Sequence, residues 1–229
     1  MCGRFTLHTT GQALARFFLD ASLDVAFPDL KPRFNIAPSQ LVATVRMQPN
    51  QNAEFAPMRW GLIPAWAKDT KIGYKMINAR SETLAEKPSF RTALKRRRCL
   101  IPADGFYEWL TDGRAKRPFF MHRPENQLFA FAGLWETWSR EEQPIESTTI
   151  ITTSANSFLS DLHHRMPVIV APERFQEWLD PNADETKDWS DFFRPVEDEY
   201  FERHEVATTV NSPRNEGPEC IEESSGFLF

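Results

Sequence analysis

The chain has 229 residues, of which 41% are hydrophobic and 13% aromatic, with 27 basic against 32 acidic side chains. This length supports one large domain or two small ones around a sizeable core. No apolar run approaches the roughly 18 residues of a membrane helix and no basic-then-apolar leader opens the sequence, so the composition points away from membrane and secreted proteins. Three cysteines, Cys2, Cys99 and Cys220, are too sparse and odd in number for a disulfide framework, which makes a reducing cytoplasm the expected setting. Charge is uneven. Residues 172–229 carry 5 basic and 16 acidic side chains, whereas residues 59–123 carry 15 basic and 6 acidic ones. Such asymmetry is a hint of a polyanion-binding face, although Lys95 to Arg98 also read as a solvated basic turn.

In chain order, residues 12–19 predict a helix with Thr9 or Thr10 as its N-cap. Strand-like runs follow at 41–47 and 55–60, rich in β-branched and aromatic residues. Residues 82–94 have helical character interrupted by Pro88, which breaks or re-aims the segment. Further strands are expected at 98–101, 106–110, 118–122, 128–135, 148–153, 167–170 and 206–210. Two acidic helices are expected late, at 172–179 with Pro172 near its start and at 184–193. Many strands and few interleaved helices favour an α+β domain, β-rich with a barrel-like core of antiparallel strands and peripheral helices.

Four segments hold polar residues within turn or strand-like sequence. Cys2 directly follows the initiator methionine. Read alone it is a small residue that packs well in a core. Removal of Met1 would give it a second character, because an N-terminal cysteine carries an amine with a pKa of about 7.7–8.0 next to a thiol at about 8.5. Amine and thiol together can convert an aldehyde into a five-membered thiazolidine. The second segment surrounds Asn78, a turn residue by type. The third contains Glu108 between Phe106, Tyr107 and Trp109. It is either the exposed position of an alternating strand or a desolvated carboxyl suited to proton transfer. The fourth contains His163 and His164. No metal-ligand spacing is evident, and no cofactor is expected.

Taken together, the segments MCGRF (1–5), RFNIAP (33–38), RWGLIP (59–64) with Trp66, INARSET (77–83), RCLIPADGFYEW (98–109), FAGLW (131–135), IITT (150–153), HHRMP (163–167) and VNSP (210–213) resemble the SRAP-domain (SOS-response-associated peptidase) family. The resemblance spans most of the chain and implies a single domain over residues 1–229, the acidic segment 172–229 included, with a basic channel for single-stranded DNA. It implies covalent cross-linking to abasic sites through Cys2, with Asn78 holding the terminal amine, Glu108 assisting proton transfer and His163 acting at the opened sugar. Arg4, Arg80 and Arg165 would hold phosphates and Trp66 would stack on bases. Weak lyase activity and self-processing at the Met1–Cys2 bond are implied as well, in a monomeric protein of the cytoplasm and nucleoid. His164 stands where the family often has an acidic residue. Two other readings compete: an N-terminal-nucleophile hydrolase of the glutamine amidotransferase type, which also begins Met-Cys-Gly, and a non-catalytic single-stranded nucleic-acid binding module.

Overall fold

A computed structural model describes residues 2–48, 51–113, 115–184 and 186–224. Its strands in chain order are β1 (Phe5–Leu7), β2 (Arg33–Ile36), β3 (Leu41–Met47), β4 (Ala53–Trp60), β5 (Asn78–Arg80), β6 (Arg98–Ala103), β7 (Gly105–Asp112), β8 (Ala115–His122), β9 (Phe129–Trp138), β10 (Ile145–Ser154), β11 (Arg165–Pro167), β12 (Ile169–Val170) and β13 (Glu202–Glu205). The α-helices are α1 (Gly11–Asp20), α2 (Arg91–Arg96) and α3 (Phe175–Leu179). The fold is α+β and strand-rich, as the pattern of short β-like runs predicts.

Five strands close on themselves. β4 pairs with β3, β3 with β6, β6 with β9, β9 with β10, and β10 returns to β4. Four of these junctions are antiparallel, but closure runs through a parallel pairing in which Ser147 meets Arg59 and Thr148 meets Trp60. Antiparallel pairing therefore dominates the core, as expected, with this one parallel seam. β5 also joins β10 in parallel, Asn78 opposite Ile150. The short stretch 78–80 carries no long apolar run, so it is not legible as a strand. A second sheet, in the order β13-β8-β7-β1-β2, packs beside the barrel.

β6, β9 and β10 are covered on both faces over most of their length. Within β6, Cys99 and Ile101 enter one apolar cluster while Leu100 enters the other. In β10, Ile150 and Ile151 divide in the same way. Burial on both faces explains why β6 reads as a nearly continuous apolar run rather than an alternating one.

The helices depart further from expectation. Thr10 caps α1 by accepting from the Ala13 amide at 3.3 Å. Pro88 confines the second helix to Arg91–Arg96, with a 3-10 turn over Ser81–Thr83 before it. The acidic helix over 184–193 does not form. Asp184 and Asp188 accept from the amides of Thr186 and Ser190 at 2.8 and 2.9 Å, turns that compete with helical bonding and leave only a 3-10 turn at Ser190–Phe193. Residues 206–210 also miss their expected strand: Val206 makes a single bridge to Glu223, and a 3-10 turn follows over Thr208–Asn211. Turning there docks Val206 and Val210 together against Tyr107, Phe120 and Cys220.

The basic run after α2 is not an open cationic face. Arg98 is buried, donates to the carbonyls of Leu94, Lys95 and Trp178 at 2.5–2.7 Å, and lies 4.2 Å from the Trp189 ring centre. Burial lowers its pKa to about 10. Arg97 pairs with Glu136 at 2.6 Å. Both side chains staple helices to the barrel instead of facing solvent.

Gly61 leaves the end of β4 with φ +122°, and an added Cβ would lie 2.6 Å from the Gly73 carbonyl oxygen. This close approach carries the chain from β4 past Met76, whose carbonyl accepts from the Leu62 amide at 3.1 Å, and on to Asn78. Gly61→Ala should therefore destabilise the fold by about 2 kcal/mol through backbone strain. Urea denaturation would check this; a loss within experimental error would remove the close-approach argument.

Candidate active site

The site begins with the pairing of β1 and β7. Phe5 lies opposite Phe106, and the Tyr107 amide donates to the Arg4 carbonyl at 3.0 Å. Successive residues of a strand face opposite sides, so Phe106 and Glu108 share one side of β7 while Tyr107 and Trp109 share the other. Phe106 packs in the cluster that contains Cys2, Phe5, Trp60, Phe131 and Ile150. Tyr107 packs with Phe120, Val210 and Cys220, with Trp109 against them. The alternation thus puts Glu108 on the Cys2 side, buried at 4% exposure.

Cys2 is wholly buried, with its Sγ 3.7 Å from the Arg4 carbonyl oxygen. Asn78 Nδ2 donates to the Cys2 carbonyl at 2.8 Å. That carbonyl can only accept, so it fixes which end of the Asn78 amide faces it. Asn78 Oδ1 consequently points elsewhere, buried and with no donor among the described residues. An acceptor left in this state costs about 1–3 kcal/mol.

Electrostatics separate the roles of the remaining groups. Burial raises the Glu108 carboxyl above its usual range, opposed by the charge of the amino terminus. The Cys2 thiol is pushed far up by burial and then by Glu108, so at neutral pH it keeps its proton. His163 is lowered to about 4, first by burial, then by the amino-terminal charge and by His164. Its Nδ1 accepts from the Arg165 amide at 2.9 Å, which leaves the proton of the neutral ring on Nε2. The His163 and His164 rings stack at 4.4 Å, His163 half-buried and His164 exposed. The amino-terminal charge acts on Cys2, Glu108 and His163 alike.

The residues expected to bind phosphate divide. Arg80 is exposed and without an ion pair among the described residues. Arg4 is half-buried and donates to Asn35 Oδ1 at 2.7 Å and to the carbonyls of Val210 and Asn211 at 2.9 and 3.3 Å. Arg165 is buried and committed: Glu82 takes its guanidinium in a fork at 2.5 and 3.0 Å, and the Thr152 carbonyl accepts at 2.5 Å. A phosphate would reach Arg165 only by replacing Glu82. Trp66 stands 52% exposed, and Tyr74, also exposed, lies 5.6 Å from the Arg59 guanidinium. Two buried polar residues have parts that the sequence does not announce. Asp104 receives the amides of His8 and Thr9 at 2.5 and 3.2 Å and fixes the exit of β1. Asn35 gathers the carbonyls of the C-terminal segment. Its signal was a polar residue between Phe34 and Ile36. Among the described residues no group of three or more His, Cys, Asp or Glu is placed to hold a metal, and no helix is long and apolar enough to cross a membrane.

A closed barrel that buries a near-terminal cysteine beside an amide, a carboxyl and a neutral imidazole defines a protein built around its own amino terminus. The family described as SOS response associated peptidase (SRAP) matches residues 1–213, and the chain belongs to it. It is 45% identical over 226 residues to the abasic site processing protein YoqW of Bacillus subtilis (strain 168), covering 97% of this chain and 99% of YoqW. Against the abasic site processing protein HMCES of Gallus gallus it is 35% identical over 223 residues, covering 83% of this chain and 66% of that protein. A crystal structure of a Bacteroides thetaiotaomicron protein shares the fold with a TM-score of 0.81 at 24% identity, over 97% of this chain and 100% of the other. A phage-related protein from Bordetella bronchiseptica gives 0.69 at 27% identity, over 90% and 94%.

The His163 environment yields a direct expectation. Its ring should remain neutral with Nε2 protonated down to about pH 4. Below its unfolded value near 6.5 the unfolded chain takes up a proton that the folded one refuses, so this residue's contribution to stability declines as pH falls from 6.5 toward 4. Imidazole nitrogen shifts followed by NMR titration would show this, and a midpoint near 6.5 for His163 would contradict it.

Proposed function

We propose that this chain senses abasic sites in single-stranded DNA and joins them covalently through Cys2 once Met1 has been removed, without a cofactor. Abasic-site processing is the function named for its relatives. The observation that carries the reading is the buried Asn78 Oδ1, an acceptor without a donor among the described residues, on the side chain that holds the Cys2 carbonyl. The α-amine of a processed Cys2 would supply that donor. In the proposed reaction the neutral amine adds to the C1′ aldehyde of the ring-opened sugar, water leaves, and a Schiff base forms. The Cys2 S–H then adds across the C=N bond, sulfur to carbon and hydrogen to nitrogen, to close a thiazolidine. Glu108, its carboxyl raised above the usual range by burial, carries protons to and from the oxygen that departs. His163 donates a hydrogen bond from Nε2 to the opened sugar. If the Schiff base is not capped, β-elimination gives weak lyase activity, and exposure of the amine is the self-processing that the family description reflects.

The proposal further takes residues 1–229 as one monomeric domain acting in the cytoplasm at the nucleoid. The exposed Lys68, Lys71, Lys75 and Arg80 are its leading phosphate contacts, and Trp66 its base-stacking residue.

Incubation with an abasic single-stranded oligonucleotide, followed by denaturing electrophoresis and mass spectrometry, tests the reaction. A heat-stable cross-link on a chain lacking Met1 is expected, absent in Cys2→Ala and about 10- to 100-fold slower in Asn78→Ala, where the amine loses its anchor. Cross-linking by Cys2→Ala sinks the thiazolidine mechanism. Binding without any cross-link points to a plain single-strand binder, and glutamine hydrolysis to an amidotransferase. For the phosphate contacts, affinity for an undamaged single strand should fall as salt rises, and Arg80→Gln should flatten the log–log slope by about 0.7. An unchanged slope would take Arg80 out of the binding face.

A further inference from the structure

The segment VNSP at 210–213 belongs to the SRAP resemblance, yet neither the barrel nor the covalent chemistry uses it. The structure ties it to the side of β7 opposite Glu108. Asn35, wholly buried, has Nδ2 at 3.1, 3.0 and 2.8 Å from the carbonyl oxygens of Val210, Ser212 and Asn215, and its Oδ1 accepts from Arg4. Arg4 in turn donates to the Val210 and Asn211 carbonyls. Every hydrogen-bond acceptor on Arg4 is neutral, so its charge is oriented but not cancelled by an ion pair among the described residues. Asn211 makes one more contact: its Oδ1 accepts from Trp109 Nε1 at 2.7 Å. Arg4 lies across from Tyr107 in the sheet, and Tyr107 and Trp109 share a side, so guanidinium and indole stand on the same face. A fixed cation beside a fixed indole is the pairing that takes a phosphate and a stacked base of a single strand.

We propose that Asn211 is a positioning residue for single-stranded DNA, acting through Trp109, and that Asn35 holds the segment from which it acts. This deepens the abasic-site reading and rests on it. The acidic C-terminal part of the chain thereby supplies a wall of the binding face. Asn211 is itself exposed, so substitution strips no core. Trp109→Phe keeps a ring but removes the N–H that Asn211 holds.

The test combines a mutant cycle with an indole signal. Binding of an undamaged single-stranded oligonucleotide, read by fluorescence anisotropy, should weaken about fivefold in Asn211→Ala and by a similar factor in Trp109→Phe, with no further loss in the double variant. Additive losses would overturn the proposal, as would full affinity in Asn211→Ala. Independently of DNA, the Trp109 indole N–H resonance, assigned by its absence in Trp109→Phe, should shift and exchange faster in Asn211→Ala. It should stay near its native position in Asn211→Asp, which keeps an acceptor oxygen. An unmoved resonance in Asn211→Ala also overturns the proposal. A resonance that moves as expected in a protein that binds no single strand removes the DNA reading and the claim about DNA, leaving Asn211 only as the residue that orients Trp109.

Discussion

The arrangement depends on holding the first residues of the chain inside the structure, where a terminus ordinarily frays. Two bonds do this from different directions: the Tyr107 amide to the Arg4 carbonyl, and Asn78 Nδ2 to the Cys2 carbonyl. The first belongs to the second sheet and the second to β5, which rides on the barrel through β10. Cys2 therefore sits where two sheets meet, and its surroundings are set by both. Asp104 reinforces the same segment beyond β1, and Arg4 extends the hold to residues 210 and 211.

This dependence also explains which parts of the fold were legible in the sequence. The longer barrel strands announced themselves through β-branched and aromatic residues, so 41–47 reads directly as β3, and residues 98–103 form an unbroken buried run. β1, β2, β5 and β13 were missed. They are three or four residues long and carry polar side chains such as Asn35, Asn78 and Arg203, so their pairing is decided by partners distant in sequence. The acidic stretch at 184–193 failed in the opposite sense. Its charge pattern suits a helix, but Asp184 and Asp188 close local turns before helical bonds can form.

At the site, residue types were readable and commitments were not. Glu108 between aromatics read as either an exposed strand position or a desolvated carboxyl, and the structure buries it on the Cys2 side of β7. Arg165 looked like a phosphate ligand and proves to be occupied by Glu82, 83 positions away in sequence. Its main visible service to the site is its backbone amide, which sets the tautomer of His163. Arg4 lies between these cases, engaged by neutral acceptors that leave its charge in force. Long-range pairing of this kind leaves no trace in spacing, so the four partners of Asn35 were not legible from the RFNIAP segment that contains it.

The burial that organises the site bears on the order of bond formation in the proposed reaction. A cysteine nucleophile that leads a reaction needs a lowered pKa, from a cation or a helix terminus. Cys2 has the reverse: a low-dielectric pocket and a neighbouring carboxyl both raise its thiol. Thiolate attack on an aldehyde is therefore disfavoured at neutral pH, whereas a terminal amine with a pKa of about 7.7–8.0 keeps a neutral, nucleophilic fraction there. Nitrogen goes first for electrostatic reasons. Sulfur then has only to add as S–H across an adjacent imine, a step in which a retained proton is required rather than obstructive. The same pocket that disqualifies Cys2 as a conventional thiolate nucleophile suits it to closing a ring.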